Sequence, residues 1–266
     1  MIASSHVKPL AALLPLLLVA VGCAADPPLR SPRLTHGGGF VLEDDGTVSV
    51  EEIEKLQGEL VDSEKRIMAI LGKDAWIADF RTPEERERVA CPIQRPAEIH
   101  VTISTDQSGR CHADETGLTI LRHHIDRKDG THELVHYLAG GSWRPIDEGL
   151  AVYLTERLQG PAGGVSVDLR SRVYMDLSLD ENLDRDRMRG GMSRIDYDLA
   201  ASFVKWLIEE RGLGPFMTLF HGPPGDYHGV YGISEQELIS KWREKIRATN
   251  VKLEGPYWHF REFMSR

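Results

Sequence analysis

His132-Glu133-Leu134-Val135-His136, followed after a Gly140-Gly141 break by Trp143-Arg144-Pro145-Ile146-Asp147-Glu148-Gly149-Leu150-Ala151-Val152-Tyr153-Leu154, is the stretch on which the reading of this chain turns. A helical pattern runs from Thr131 to Leu138, stops at the paired glycines, and resumes from Asp147 through Leu158 after a corner containing Pro145. On the first helix His132 and His136 stand at i and i+4, with Cβ atoms about 5–6 Å apart on one face, so both imidazoles can reach a single ion. Imidazole nitrogen suits a borderline-soft dication such as zinc, and two neutral ligands leave the ion its full charge to polarise a water. Glu133 is then placed to take the proton from that water.

A catalytic zinc has three protein ligands and a water, so a third ligand is needed. The glycine break lets the second helix fold back on the first, which makes Glu148 the candidate. Asp147 is the runner-up, and it doubles as an N-cap at the predicted helix start. A purely structural zinc would be expected to have four ligands and to be rich in Cys. His123 and His124 read as a surface pair at a strand end. One Zn2+ ion on His132, His136 and Glu148 is the expectation.

Working outward, Ser49 with Glu52 makes a capping box, and Ile53, Leu56, Leu60, Ile67 and Leu71 follow at helical spacing up to Gly72. Residues 98–103 and 117–122 each alternate with period two around a Ser108-Gly109 turn signal, which predicts two strands before the motif. Residues 160–191 read as irregular, with one strand or helix around Val173 to Leu179. Tyr197 to Arg211 carries Leu199, Phe203, Trp206 and Leu207 on one face, and Ser234 with Glu237 opens a last helix holding Leu238, Trp242 and Ile246. The predicted fold is therefore α+β: a small N-terminal sheet, the metal helix packed on it, and a C-terminal helical lobe, with the cleft between them. Peptide capture is expected on the exposed edge of the strand just before the metal helix.

The first residues do not belong to that fold. Lys8 precedes an apolar run from Leu10 to Val21, about a dozen residues, which predicts a signal peptide over residues 1–22 and is too short to span a bilayer comfortably. Ala20-Val21-Gly22-Cys23 resembles the lipobox of bacterial lipoproteins, with Ala20 where Leu is more usual. The resemblance implies cleavage before Cys23, lipidation of its sulfur and a place in the bacterial cell envelope, periplasmic or on the outer membrane. Residues 23–45, rich in Pro, Gly and charge, read as a flexible tether, which leaves 46–266 as the domain. A net charge of −9 and a pI near 5.7 argue against nucleic-acid binding, which needs a basic face. Cys91 and Cys111 flank a predicted strand and its turn, where an oxidising compartment permits a disulfide; two free thiols are the alternative.

The H-E-x-x-H helix, the Trp and Pro corner and the Glu148-Gly149-Leu150-Ala151-Val152-Tyr153 run together resemble the gluzincin zinc metallopeptidases of the peptidase MA-like group, over roughly residues 95–247. The resemblance implies a zincin-like fold, Glu148 as third zinc ligand, Glu133 as general base and peptide-bond hydrolysis. It also implies that Tyr197, leading the helix to Gly212, donates a hydrogen bond to the oxyanion, with Tyr227, His228 and Tyr231 as competing donors from a Gly-rich loop. Two departures stand out. Val152 occupies a place where related helices often carry an acid, which leaves a ligand His without an identified outer partner. No G-x-M-E-N sequence is present, which disfavours aminopeptidase action. The rival expectation is a non-catalytic envelope lipoprotein that keeps the scaffold for binding.

Overall fold

Ser49 opens the first helix through both halves of a capping box: its Oγ accepts from Glu52 N at 3.1 Å, and the Glu52 carboxylate accepts from Ser49 N at 2.8 Å. The helix α1 (Val50–Leu71) buries Ile53, Leu56, Leu60, Ser63 and Ile67, one stripe at helical spacing, and ends at Gly72. This computed structural model describes residues 32–72, 97–127, 129–140, 144–179 and 192–249, with Phe260 and Met264. The signal-peptide run, Cys23 and Cys91 lie outside the described residues. No helix among those described is long and apolar enough to cross a membrane.

The protein is α+β. Five strands, β1 (Arg33–Gly37), β2 (Phe40–Asp44), β3 (Ile99–Ser104), β4 (His112–Asp114) and β5 (Gly117–Leu121), form one sheet in the order β1-β2-β3-β5-β4. β2, β3 and β5 are parallel; β1 and β4 are antiparallel to their neighbours and form the two edges. The three parallel strands are joined by long connections, one of them containing α1, whereas β1–β2 and β4–β5 are tight hairpins.

Two expectations change here. Residues 33–44 are not tether but a hairpin, and the compact unit that holds the fold begins at Ser31. Gly38 and Gly39 both take positive φ, 61° and 85°, as a tight hairpin turn requires, and Phe40, Val41 and Leu42 are buried when β2 pairs with β3. Composition concealed a three-residue apolar run whose partner lies far along the chain. The strand just before the helix that carries His132 and His136, β5, is paired on both sides, so among the described residues the edge on that side of the sheet belongs instead to β4.

The helices that follow are α2 (Asp129–Ala139), α3 (Arg144–Gln159), α4 (Val167–Asp176), α5 (Arg194–Arg211), α6 (Leu213–His221), α7 (Tyr227–Tyr231) and α8 (Glu235–Ala248). A 3-10 turn, Arg122–Arg127, joins β5 to the segment before α2. The segment read as irregular contains α4, opened by Ser166, whose Oγ accepts from Leu169 N. α5 starts earlier than predicted because Ser193 and Asp196 form another capping box.

Sheet and helices share one apolar core, running from Phe40, Ile99 and Ile120 through Leu134 and Leu150 to Phe203 and Trp242. α3 and α5 cross closely at Gly149. A Cβ there would sit 2.7 Å from the Ala200 carbonyl oxygen and 2.8 Å from Val204 Cγ2, so any side chain pushes the two helices apart. Gly149 directly follows Glu148, and α5 carries Tyr197, so this crossing sets how near those two side chains come.

Candidate metal centre

The helix α2, which carries His132 and His136, is fastened at its first turn by another helix. Glu59 of α1 accepts from Thr131 N at 3.0 Å and from Thr131 Oγ1 at 2.9 Å, and Gln159 at the end of α3 donates to the same oxygen at 3.1 Å. α1, α2 and α3 therefore meet at one carboxylate, which satisfies an amide that α2 could not pair within itself. At the other end Gly140 donates its N–H to His136 O at 3.0 Å and takes φ 54°.

Three donor atoms converge from α2 and α3. His132 Nε2 and His136 Nε2 are 3.1 Å apart, and Glu148 Oε2 is 3.3 Å from the first and 3.2 Å from the second. Zinc bonds of about 2.0–2.2 Å to N and O at tetrahedral angles separate donor atoms by about 3.3 Å, so this near-equilateral triangle fits one ion with a fourth position facing the cleft. The donor set, two imidazoles and one carboxylate, is also right for zinc. The sequence-based ligand candidates His132, His136 and Glu148 are thus brought together.

Asp147 has neither role expected of it. α3 begins at Arg144, so Asp147 lies inside the first turn rather than at its cap, and its Oδ1 lies 2.9 Å from His136 Nδ1. The imidazole N–H at Nδ1 donates to that carboxylate, which leaves the Nε2 lone pair for the triangle. The outer partner missing at Val152 is supplied by Asp147, the residue before the candidate third ligand Glu148. Burial alone would pull the His136 pKa down, but Asp147 and Glu148 overcome it and hold it well above the ordinary value. Glu148 is buried too, yet hydrogen bonds and charge from both histidines hold its carboxyl well below the usual range. Asp147→Ala is expected to weaken zinc affinity about 10–100-fold, measured by chelator competition, with helix content unchanged.

Glu133 is buried, and its carboxyl is pushed up first by that burial and further by the Glu148 and Asp129 charges, with His132 and His136 pulling the other way. It lines a cleft of about 560 Å³ together with Arg110, Cys111, His112 and Ala113 of the β4 edge, and with Tyr197. The Tyr197 hydroxyl donates to Glu148 Oε1 at 3.3 Å, the oxygen turned away from the histidines. Behind it, Asp198 is anchored by Arg170 Nη2 at 2.8 Å and by Tyr174 Oη at 2.6 Å, and Glu156 of α3 holds Arg170 at 3.3 Å. Breaking a buried pair of this kind costs about 3–5 kcal/mol, so the register of α5 against α3 and α4 is firmly set.

Of the competing donors, Tyr227 is buried with its ring 6.2 Å from that of Phe203, and none of Tyr227, His228 and Tyr231 lines the cleft among the described residues. Sequence reasoning missed the surroundings of His124. Its Nδ1 lies 2.6 Å from Asp129 Oδ2 and 3.5 Å from Cys111 Sγ, so it is not half of an incidental surface pair. Among the described residues Cys111 has no disulfide partner, and its thiol is pushed up to about 11 chiefly by burial. No protein-family model matches the chain, and no curated protein does.

Proposed function

We propose that this chain is a zinc-dependent peptide hydrolase of the gluzincin type, carried on the bacterial cell envelope by a lipid on Cys23. The observation that carries the reading is the donor triangle of His132, His136 and Glu148 in one cleft with a buried carboxyl, Glu133, and a phenol, Tyr197. A zinc ion held by those three side chains would supply the positive charge that polarises a water and a carbonyl. Asp147 orients His136 for this by holding its Nδ1 proton.

Glu133 takes the proton of the attacking water and returns it to the leaving amine. A carboxyl whose proton affinity is raised by burial is the better suited to both transfers. Tyr197, now bonded to the outer oxygen of Glu148, has a hydroxyl at the cleft that can turn to a developing oxyanion. The substrate main chain pairs with the edge of β4, whose His112 and Ala113 line the cleft, so capture does not depend on a deep side-chain pocket.

Incubation of the zinc-loaded full chain with a mixed peptide library tests the proposal. Cleavage that stops with a chelator and returns with zinc is expected. Bound zinc without cleavage of any peptide would reject the enzyme and leave a binding scaffold.

A further inference from the structure

A second group of metal-ligating side chains converges among the described residues. Cys111, immediately before β4, His124 in the 3-10 turn and Asp129 at the start of α2 bring one donor atom each to within 4.8 Å of one another. Sγ lies 3.5 Å from the His124 Nδ1, and Asp129 Oδ2 lies 2.6 Å from the same nitrogen. Leu121 N donates to Sγ at 3.3 Å and holds the sulfur in place.

A thiol, an imidazole and a carboxylate first suggest a nucleophile with its base and orienting acid. That relay needs thiol and carboxylate on opposite ring nitrogens. Here both approach Nδ1, so no proton can pass through the ring from one to the other. Sulfur, nitrogen and oxygen donors crowding one point form a coordination site instead. We propose that Cys111, His124 and Asp129 bind a second, thiophilic dication, zinc by preference, at the rim of the cleft.

Zinc bonds of about 2.3 Å to sulfur and 2.0–2.1 Å to nitrogen place those two atoms about 3.6 Å apart, close to what is observed. The Asp129 oxygen must draw back by about 0.7 Å to complete the set, and its side chain, 35% exposed, has room to do so. Coordination through Nδ1 leaves the ring proton on Nε2, so the exposed Arg127, whose Nη1 stands 3.4 Å from that atom, swings away. The ion would tie the edge strand, the 3-10 turn and α2 together. This site shares no ligand with the first and does not rest on the hydrolase reading.

Cobalt separates the two sites. His132, His136 and Glu148 offer no sulfur, so thiolate-to-cobalt charge-transfer absorption in the near ultraviolet from Co2+-loaded full chain reads a thiol ligand outside that centre, and Cys111→Ser separates Cys111 from Cys23 and Cys91. The band is expected in the wild type and in Glu148→Ala, shifted in Asp129→Asn and absent in Cys111→Ser, whose circular dichroism should match the wild type. Cys111→Ser and Glu148→Ala should each lose about one cobalt equivalent. A wild type without the band, a band that survives Cys111→Ser, or peptide mapping that finds Cys111 bridged to Cys91 would each overturn the second site. A wild type whose only cobalt is lost in Glu148→Ala does so too and leaves the hydrolase reading standing. Cobalt confined to Cys111 would sink the hydrolase reading alone.

Discussion

Glu133→Gln is expected to lower kcat for peptide cleavage about 10²–10⁴-fold while leaving bound zinc unchanged. The amide keeps the shape of the side chain and removes only its ability to accept and return a proton. Stability adds a second readout. Because the folded protein raises the Glu133 pKa, its protonated form is the one the fold favours; that contribution is present below the unfolded pKa and is lost as pH rises through the folded value. At neutral pH in the metal-free chain, the neutral amide therefore melts no lower than the wild type. Hydrolysis by Glu133→Gln at the wild-type rate would remove Glu133 from the chemistry.

Glu148→Ala is expected to strip the first centre of its zinc on dialysis and to abolish cleavage with it. The carboxylate supplies one corner of the donor triangle, at 3.2 and 3.3 Å from the two imidazole nitrogens, and nothing else on α3 stands ready to replace it, since Asp147 is engaged with His136 Nδ1. Two histidines alone bind zinc far more weakly than a three-ligand site, so the loss should exceed the 10–100-fold cost of removing an outer partner such as Asp147. Metal analysis after dialysis, beside Asp147→Ala, measures both. An affinity equal to that of the wild type would mean that Glu148 is no ligand.

The features legible in the sequence are those that nearest neighbours decide. The capping boxes at Ser49 and Ser234 form as their residue types and three-residue spacing require, and the signal that would have placed the start of α5, Ser193 with Asp196, was of the same kind. His132 and His136 share a helix face because the helix repeat puts them there. Glu148 depended on a chain reversal at a glycine pair, a step up in range but still a local turn.

What the sequence by itself determined is the existence of five helices, α1, α2, α3, α5 and α8, and the pair of histidines on α2. Tertiary structure alone decided that residues 33–44 belong to the sheet, that β4 and not β5 is the edge strand, that Asp147 serves His136, and that Cys111, His124 and Asp129 meet. The physical reason is range. Hydrogen bonds within a helix join residues a turn apart and leave a periodic trace, whereas strand partners and outer-shell contacts are chosen by packing between segments whose separation along the chain carries no period.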